Sequence, residues 1–303
     1  MAYPIIQVLI AIIACPLLLS VIRRVKAFFG GRKGPKLLQI YYDLYKLLRK
    51  APVYSRTTSW VFRASPSISM AAVLATLAVV PLAGLSALCP FSGDMIFLAY
   101  TFGLMRFFTV LAALDTGSPF EGMGASREVQ FSALAEMALI AGLVALAVQY
   151  NATSLTTIFG TAWTDGRLSG NEAPLILVAS TFMLVLLAEN ARIPFDDPTT
   201  HLELTMVHEV MILDHCGVDL AMIEYASAMK LWVWISLFVS AALPIRTGNP
   251  ALDMAAGLGG MLVVAVVIGI VESIMARLRL VRVPQLLVVA CVLSLLAVGI
   301  GVR

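Results

Sequence analysis

Eight runs of mostly apolar residues divide the chain, at about 3–22, 68–88, 95–114, 131–150, 174–190, 229–245, 253–275 and 285–301. Each approaches the roughly 20 residues that a helix needs to cross a bilayer core. Polar stretches separate the runs, and the longest cover 23–67 and 191–228. The pattern predicts an all-α integral membrane protein with about eight transmembrane helices, forming a single membrane domain over 1–303. Composition excludes a soluble domain: 60% of residues are hydrophobic and 13% charged, against about 25% charged in soluble chains.

Charge adds an orientation. Eleven of the 21 Lys and Arg stand between Arg23 and Arg63, with one acid, Asp43, among them. Basic loops stay in the cytoplasm, so 23–67 is assigned there. Alternation then brings 115–130, 191–228 and 276–284 to the same side, with Arg127, Arg192, Arg277, Arg279 and Arg282, and leaves both termini outside. The outer side keeps Arg167, Arg246 and Arg303. The net charge of +3 follows from this bias and is no argument for nucleic acid. Within 23–67, Leu37, Leu38, Tyr41, Leu44, Tyr45 and Leu48 recur near helical spacing. They predict an amphipathic helix over Lys36–Lys50 that lies on the membrane surface or packs under a partner.

Charged groups inside the apolar runs are costly and face a bundle interior or a water path. Arg106 and Glu136 fall at similar depth on adjacent, oppositely directed spans, so an ion pair is expected. Glu189, Glu224 and Glu272 stand near cytoplasmic helix ends. Two readings stand: a pair that locks two helices beside solvated helix ends, or a hydrated proton path.

Residues 188–220 hold all three histidines, His201, His208 and His215, and seven acids: Glu189, Asp196, Asp197, Glu203, Glu209, Asp214 and Asp219. Pro194 and Pro198 keep 192–198 irregular. Thr200 fits a helix N-cap with Glu203 completing a capping box, which predicts a helix from there to about Asp214. Histidines seven residues apart on a helix are separated by roughly 10 Å along its axis, too far to ligate one ion together. The four cysteines form no CxxC, so no local zinc or iron–sulfur pattern exists. Gly30–Lys36 is glycine-rich but lacks a P-loop ending, and no catalytic motif is present.

Several segments are similar to known ones. Glu189-Asn190-Ala191-Arg192-Ile193-Pro194-Phe195-Asp196 resembles the ENRAPFD-type motif of the quinone-chamber membrane subunit of respiratory complex I. Gly34-Pro35, Leu38-Gln39 and Asp43 with Lys46-Leu47-Leu48 resemble that family's segment after the first helix. Asp115–Phe120, Gly124–Glu128, Asp197–Thr205 and Glu272–Arg279 resemble its hydrogenase branch, the membrane subunits of group 4 nickel–iron hydrogenases and formate hydrogenlyase.

The resemblance implies the heel-subunit fold of the complex I membrane arm and a bacterial or archaeal cytoplasmic (inner) membrane. It implies a chain without cofactor or catalytic residue of its own. The nickel–iron centre and iron–sulfur clusters would lie in partners: hydrogenase large and small subunits and iron–sulfur electron-transfer subunits. Antiporter-like membrane subunits would carry ions. The expected proton path runs over Glu136, Glu189, Asp196, Asp197, Glu203, Glu209, Glu224 and Glu272 with Arg106, and the resemblance itself implies the relay role chiefly at Glu189, Asp196 and Glu203. Docking would use Arg32, Lys33, Lys36, Asp43, Arg192, His201, His208 and Asp214. Where complex I has an acid-rich PEAESEL-like run, this chain has Pro198–Glu203 with Thr199, Thr200 and His201, which weakens the case for quinone. The alternatives are a quinone-binding subunit of an NADH:quinone oxidoreductase and a stand-alone ion transporter. A quinone-sized opening between the first helix and 191–228 discriminates for the former.

Overall fold

A computed structural model describes residues 2–82, 85–161, 172–196, 206–243 and 248–301. These form ten α-helices and no strand: α1 (Ala2–Phe29), α2 (Gln39–Leu48), α3 (Trp60–Val79), α4 (Asp94–Asp115), α5 (Pro119–Tyr150), α6 (Leu155–Thr161), α7 (Glu172–Glu189), α8 (Gly217–Ala242), α9 (Pro250–Ile274) and α10 (Val283–Gly301). Seven helices, α1, α3, α4, α5, α8, α9 and α10, are long and apolar enough to cross a membrane. The eighth apolar run is α7, whose 18 residues rise ~27 Å at 1.5 Å each. The protein is a multi-pass membrane protein. Outward faces such as Ile96, Tyr100, Leu104 and Phe107 of α4 are exposed and apolar, as a lipid-facing surface requires.

The predicted helix boundaries stop short where charge begins. α5 starts at Pro119 instead of 131, so the expected loop 115–130 is largely helix. Ser118 precedes it, and Pro119 takes the first helical position, where its missing N–H costs nothing. α8 starts at Gly217 instead of 229, so Glu224 lies inside a helix and the expected loop 191–228 ends before Gly217. α3 is displaced toward its N-terminus, starting at Trp60 instead of 68. Hydropathy breaks these helices at Glu121, Arg127, Glu128 and Glu224, but protein and interface, as well as lipid, surround their ends.

Three groups of spans meet along α8. α5, α7 and α10 pack together, α1 packs on α9, α3 packs on α4, and α8 touches α1, α2, α3, α7 and α9. Most of α8 is buried, including Trp232 and Trp234, and Trp234 stacks on Phe102 of α4 at 5.5 Å. At its N-terminus Gly217 has φ +59°, and a Cβ there would stand 2.7 Å from the carbonyl oxygens of Lys50 and Ala51. Only glycine allows both that conformation and that approach.

Pro16 sits inside α1. It has no N–H to give to the carbonyl of Ile12, and the Tyr225 hydroxyl of α8 donates to that oxygen instead. The Tyr41 hydroxyl of α2 donates to the next carbonyl, Ile13. The break in α1 is thus sealed by two tyrosines from two helices. The amphipathic segment forms α2. Ile40 and Leu44 are buried against Ala221 of α8, while Leu37, Leu38, Tyr42, Tyr45 and Leu48 are exposed. α2 therefore packs first on its own chain.

Tyr225→Phe removes the hydroxyl donor of the Ile12 carbonyl and leaves it the weak Cys15 thiol contact at 3.6 Å. The expected loss is about 1–3 kcal/mol, read as a lower melting temperature in detergent; an unchanged melt would mean that another group satisfies that oxygen.

Candidate functional site: a buried charge cluster beside a chamber

The C-terminus of α7 carries Glu189 into contact with two cations. Arg106 of α4 donates through Nη2 to Oε1, and Lys230 of α8 stands 2.9 Å from Oε2. The Lys230 ammonium also donates to the Glu189 carbonyl at 2.7 Å, where a helix C-terminus favours a cation. Arg106 reaches two further carboxylates of α5, Glu136 at 3.3 Å and Glu128 at 3.8 Å. Four spans thus converge on two cations and three acids. Only 4% of the Glu189 side chain is exposed.

Asp196 closes the following loop. Its Oδ2 accepts from the backbone N–H groups of Val207, at 3.0 Å, and His208, at 3.4 Å. Its other oxygen lies 2.9 Å from Arg277. One carboxylate therefore holds residues 196 and 207 together and ties them to the connection between α9 and α10. Gly124 of α5 lets this loop approach, since a Cβ there would stand 2.2 Å from Val210. A cavity of about 20 Å³ lies between Glu128, Ser132, Glu189 and Asp196, room for a single water by the ~10–15 Å³ criterion.

Beyond residues 190–192 opens a chamber of about 560 Å³, lined by α1, α2, α8, α9 and the loop. Its charged lining includes Lys26, Asp43, Arg192, Glu209, Glu224 and Glu272. Glu272 is buried and faces Arg192 at 3.3 Å and Lys26 at 3.7 Å. Ala191 lines both the chamber and the small cavity, so the α7–loop junction is the wall between them. Ala191 has φ +48°, a left-handed turn that swings the chain off the helix.

The expected relay residues therefore fall in three places. Arg106, Glu136 and Glu189 meet in the cluster; Glu209, Glu224 and Glu272 line the chamber; Asp196 stands at the small cavity. Asp197, Glu203 and His201 lie outside the described residues, as does the start of the helix expected from Thr200, up to 205. Its described remainder is a single 3-10 turn, Glu209–Ile212, so the expected continuation to Asp214 is corrected. Val207 and His208 give their N–H groups to Asp196 instead of to a helix.

Of the docking residues, Arg32, Lys33, Lys36 and Asp214 are exposed, and Asp43 is partly buried and accepts from Gln39 at 2.9 Å. Arg192 is a correction: its side chain is buried and turned inward onto Glu272. His208 also lines the chamber. His215 stacks on Phe62 at 3.9 Å.

Sequence reasoning passed over Lys230, Glu128 and Glu121. Lys230 is a lone cation at the edge of an apolar run. Glu128 lies two turns from Glu136 on one face of α5, a signal visible only once α5 is continuous. Glu121 is buried, bonded to Thr116 and to the Asp214 N–H at 3.2 Å.

Comparison with known proteins assigns the family. The profile of the family described as NADH dehydrogenase matches residues 2–301. Formate hydrogenlyase subunit 4 of Escherichia coli (strain K12) is 31% identical over 290 residues, 94% of this chain and 93% of that one. Hydrogenase-4 component C of the same organism is 34% identical over 78% of this chain and 74% of its own. A subunit of the NADH-quinone oxidoreductase of Anaplasma phagocytophilum (strain HZ) is 31% identical, covering 68% of this chain and 65% of its own. A chain in the structure of the membrane-bound sulfane sulfur reductase, an archaeal respiratory membrane complex, superposes with a TM-score of 0.85 over 99% of this chain and 98% of that one, at 21% identity. The chain belongs to the NADH dehydrogenase family of membrane subunits, and formate hydrogenlyase subunit 4 and hydrogenase-4 component C are its homologues.

Lys230→Met would leave buried Glu189 with Arg106 as its single described cation. Breaking a buried pair costs on the order of 3 kcal/mol, so a marked fall in the melting temperature of the purified protein is expected; no fall would mean that Arg106 compensates alone.

His208 supplies a pH test. Burial first, then the Lys230 charge, push its imidazole from the ordinary 6.5 down to about 4. Because the folded value is lower, the unfolded chain binds more protons between about 4 and 6.5, and stability rises with pH there. The contribution is full above pH 6.5 and is lost as pH falls toward 4. In a pH series of melting temperatures, His208→Gln should flatten that slope; parallel curves would place His208 in water.

Proposed function

We propose that this chain is the cofactor-free membrane-anchor and ion-coupling subunit of a membrane-bound hydrogenase complex. The chain docks a peripheral module containing a nickel–iron centre and iron–sulfur clusters. That module passes electrons from formate, carbon monoxide or ferredoxin to protons, and this subunit links the transfer to proton or sodium movement. Its partners are the hydrogenase large and small subunits, the iron–sulfur electron-transfer subunits and antiporter-like membrane subunits. It sits in a bacterial or archaeal cytoplasmic membrane with both termini outside.

The observation that carries this reading is the charged chamber separated by one wall, residues 190–192, from the Glu189–Arg106–Lys230 cluster. A disturbance of the docked loop at the chamber acts on Arg192 and, two or three residues away, on Glu189. From there charge contacts run through Arg106 to Glu136, whose side chain is 31% exposed. End-to-end likeness to formate hydrogenlyase subunit 4 supports the hydrogenase assignment over the NADH one.

One observation favours the quinone reading. The chamber lies between the first helix and the loop, and its size falls in the ~300–1,000 Å³ range of small-molecule sites. Its lining carries charges of both signs, whereas such sites are mostly apolar, so water and protons suit it better.

Purification of the tagged chain from its native membrane in mild detergent, with mass spectrometry and a hydrogen-evolution assay, tests the choice. Co-purifying nickel–iron and iron–sulfur subunits with hydrogen evolution is the expected result. NADH-oxidising subunits with quinone reductase activity would overturn it.

A further inference from the structure

No acid follows Glu272 in the chain, and three arginines stand soon after it, Arg277, Arg279 and Arg282. Arg277 turns inward onto Asp196 at 2.9 Å. Arg279 and Arg282 are exposed, and neither makes an ion pair among the described residues. Between them Val281 is 80% exposed, and Ile274 at the end of α9 is 72% exposed. The turn is held from behind: the Leu278 N–H donates to the Pro194 carbonyl at 3.0 Å, and the short 3-10 helix Leu280–Arg282 runs straight into α10. Two unpaired arginines and a bare valine are therefore presented outward on a fixed backbone.

Length fixes the depth of this turn. α10 has 19 residues and rises ~28 Å at 1.5 Å each, close to the ~30 Å hydrocarbon core of a bilayer. Arg282 directly precedes the first residue of α10, so it stands at the edge of that core, where lipid headgroups begin. Toward the core, Val288, Val289, Val292, Leu295 and Leu296 are exposed at the spacing of one helix face. A pair of cations at headgroup depth thus stands over an uncovered aliphatic stripe. Positive charge on a short loop accounts for the side of the membrane that the loop takes. It does not account for a bare valine between two arginines.

We propose that Arg279 and Arg282 form a binding site for an anionic phospholipid, which sets its phosphate against the two guanidinium groups and an acyl chain along the exposed stripe of α10. A guanidinium presents a planar fork of N–H donors that matches phosphate oxygens, and cations beside the end of a membrane span attract anionic lipid. A zwitterionic lipid would bring its own cation against two arginines in a stretch without an acid, so a net negative headgroup is selected. The acidic face of a water-soluble partner would answer the arginines but leave the stripe of α10 bare. A phospholipid answers both at once. The inference rests on the membrane fold and holds whichever redox complex contains the chain.

Native mass spectrometry of the intact purified complex, titrated with phosphatidylglycerol or phosphatidylcholine in a neutral detergent, tests this. The wild type is expected to retain phosphatidylglycerol in preference. The double variant Arg279→Gln with Arg282→Gln is expected to bind one such lipid about 25-fold more weakly, at about fivefold per cation near a lipid surface. Arg279→Lys with Arg282→Lys keeps the charge and should keep most of the preference, and Arg32→Gln with Lys33→Gln and Lys36→Gln, on another loop, should leave that lipid in place. Equal retention of the two lipids by the wild type, or unchanged retention in the glutamine pair, overturns the proposal. So does loss of a protein subunit in place of a lipid, which would make the turn a partner interface. If the glutamine pair does not assemble, a photoreactive phosphatidylglycerol added to the wild type serves: labelling within 279–296 supports the site, and labelling confined to other segments overturns it.

Discussion

The carboxylate of Glu189 between Arg106 and Lys230 is the contact on which the rest of the arrangement depends. A lone carboxylate at that depth would be strongly disfavoured, and so would either cation. Together they neutralise one another, and each comes from a different span. The contact therefore fixes α4, α7 and α8 relative to each other, and Arg106 extends the bond to α5 through Glu136 and Glu128. Because Lys230 also takes the Glu189 carbonyl, the point at which α7 ends is set by the same ammonium that neutralises the side chain.

That end point sets the course of the next residues. Immediately after it the backbone turns at Ala191, Arg192 points into the chamber onto Glu272, and Asp196 fastens the loop to Arg277 and to Val207. The Leu278 N–H bonds to the Pro194 carbonyl at 3.0 Å, so the connection between α9 and α10 clasps the same strip of chain. A few residues thus separate a large, charged, accessible space from a largely buried cluster. Mechanical and electrostatic signals at the chamber have a short path into the membrane interior, which is the physical content of the coupling role proposed for this subunit.

The homologues give that geometry its setting. They are formate hydrogenlyase subunit 4 and hydrogenase-4 component C, with the NADH-quinone oxidoreductase relative more distant. The fold is shared with a chain of a sulfane sulfur reductase complex. One helical frame serves complexes of different redox chemistry. The differences that matter to this chain therefore belong to the groups around the chamber and the cluster.

Much of this was legible along the chain. Runs of apolar residues specify membrane spans because backbone polar groups must be satisfied within each helix in lipid, a constraint local enough to read without a structure. The expected Arg106–Glu136 contact followed from depth alone. What the chain did not disclose was every feature that joins distant residues. The charged ends of α5 and α8 look like loop until neighbouring helices are seen to cover them. Lys230 looks like a lone cation until α7 is seen to end against it. Arg192 looks like a docking charge until Glu272, 80 residues away, is found beside it. Ile40 and Leu44 pack α2 onto α8, and Tyr41 and Tyr225 answer the gap left by Pro16, contacts that join distant residues. Hydropathy follows the solvent around a segment; the pairing of buried charges follows which helices adjoin, and that was decided by the tertiary structure alone.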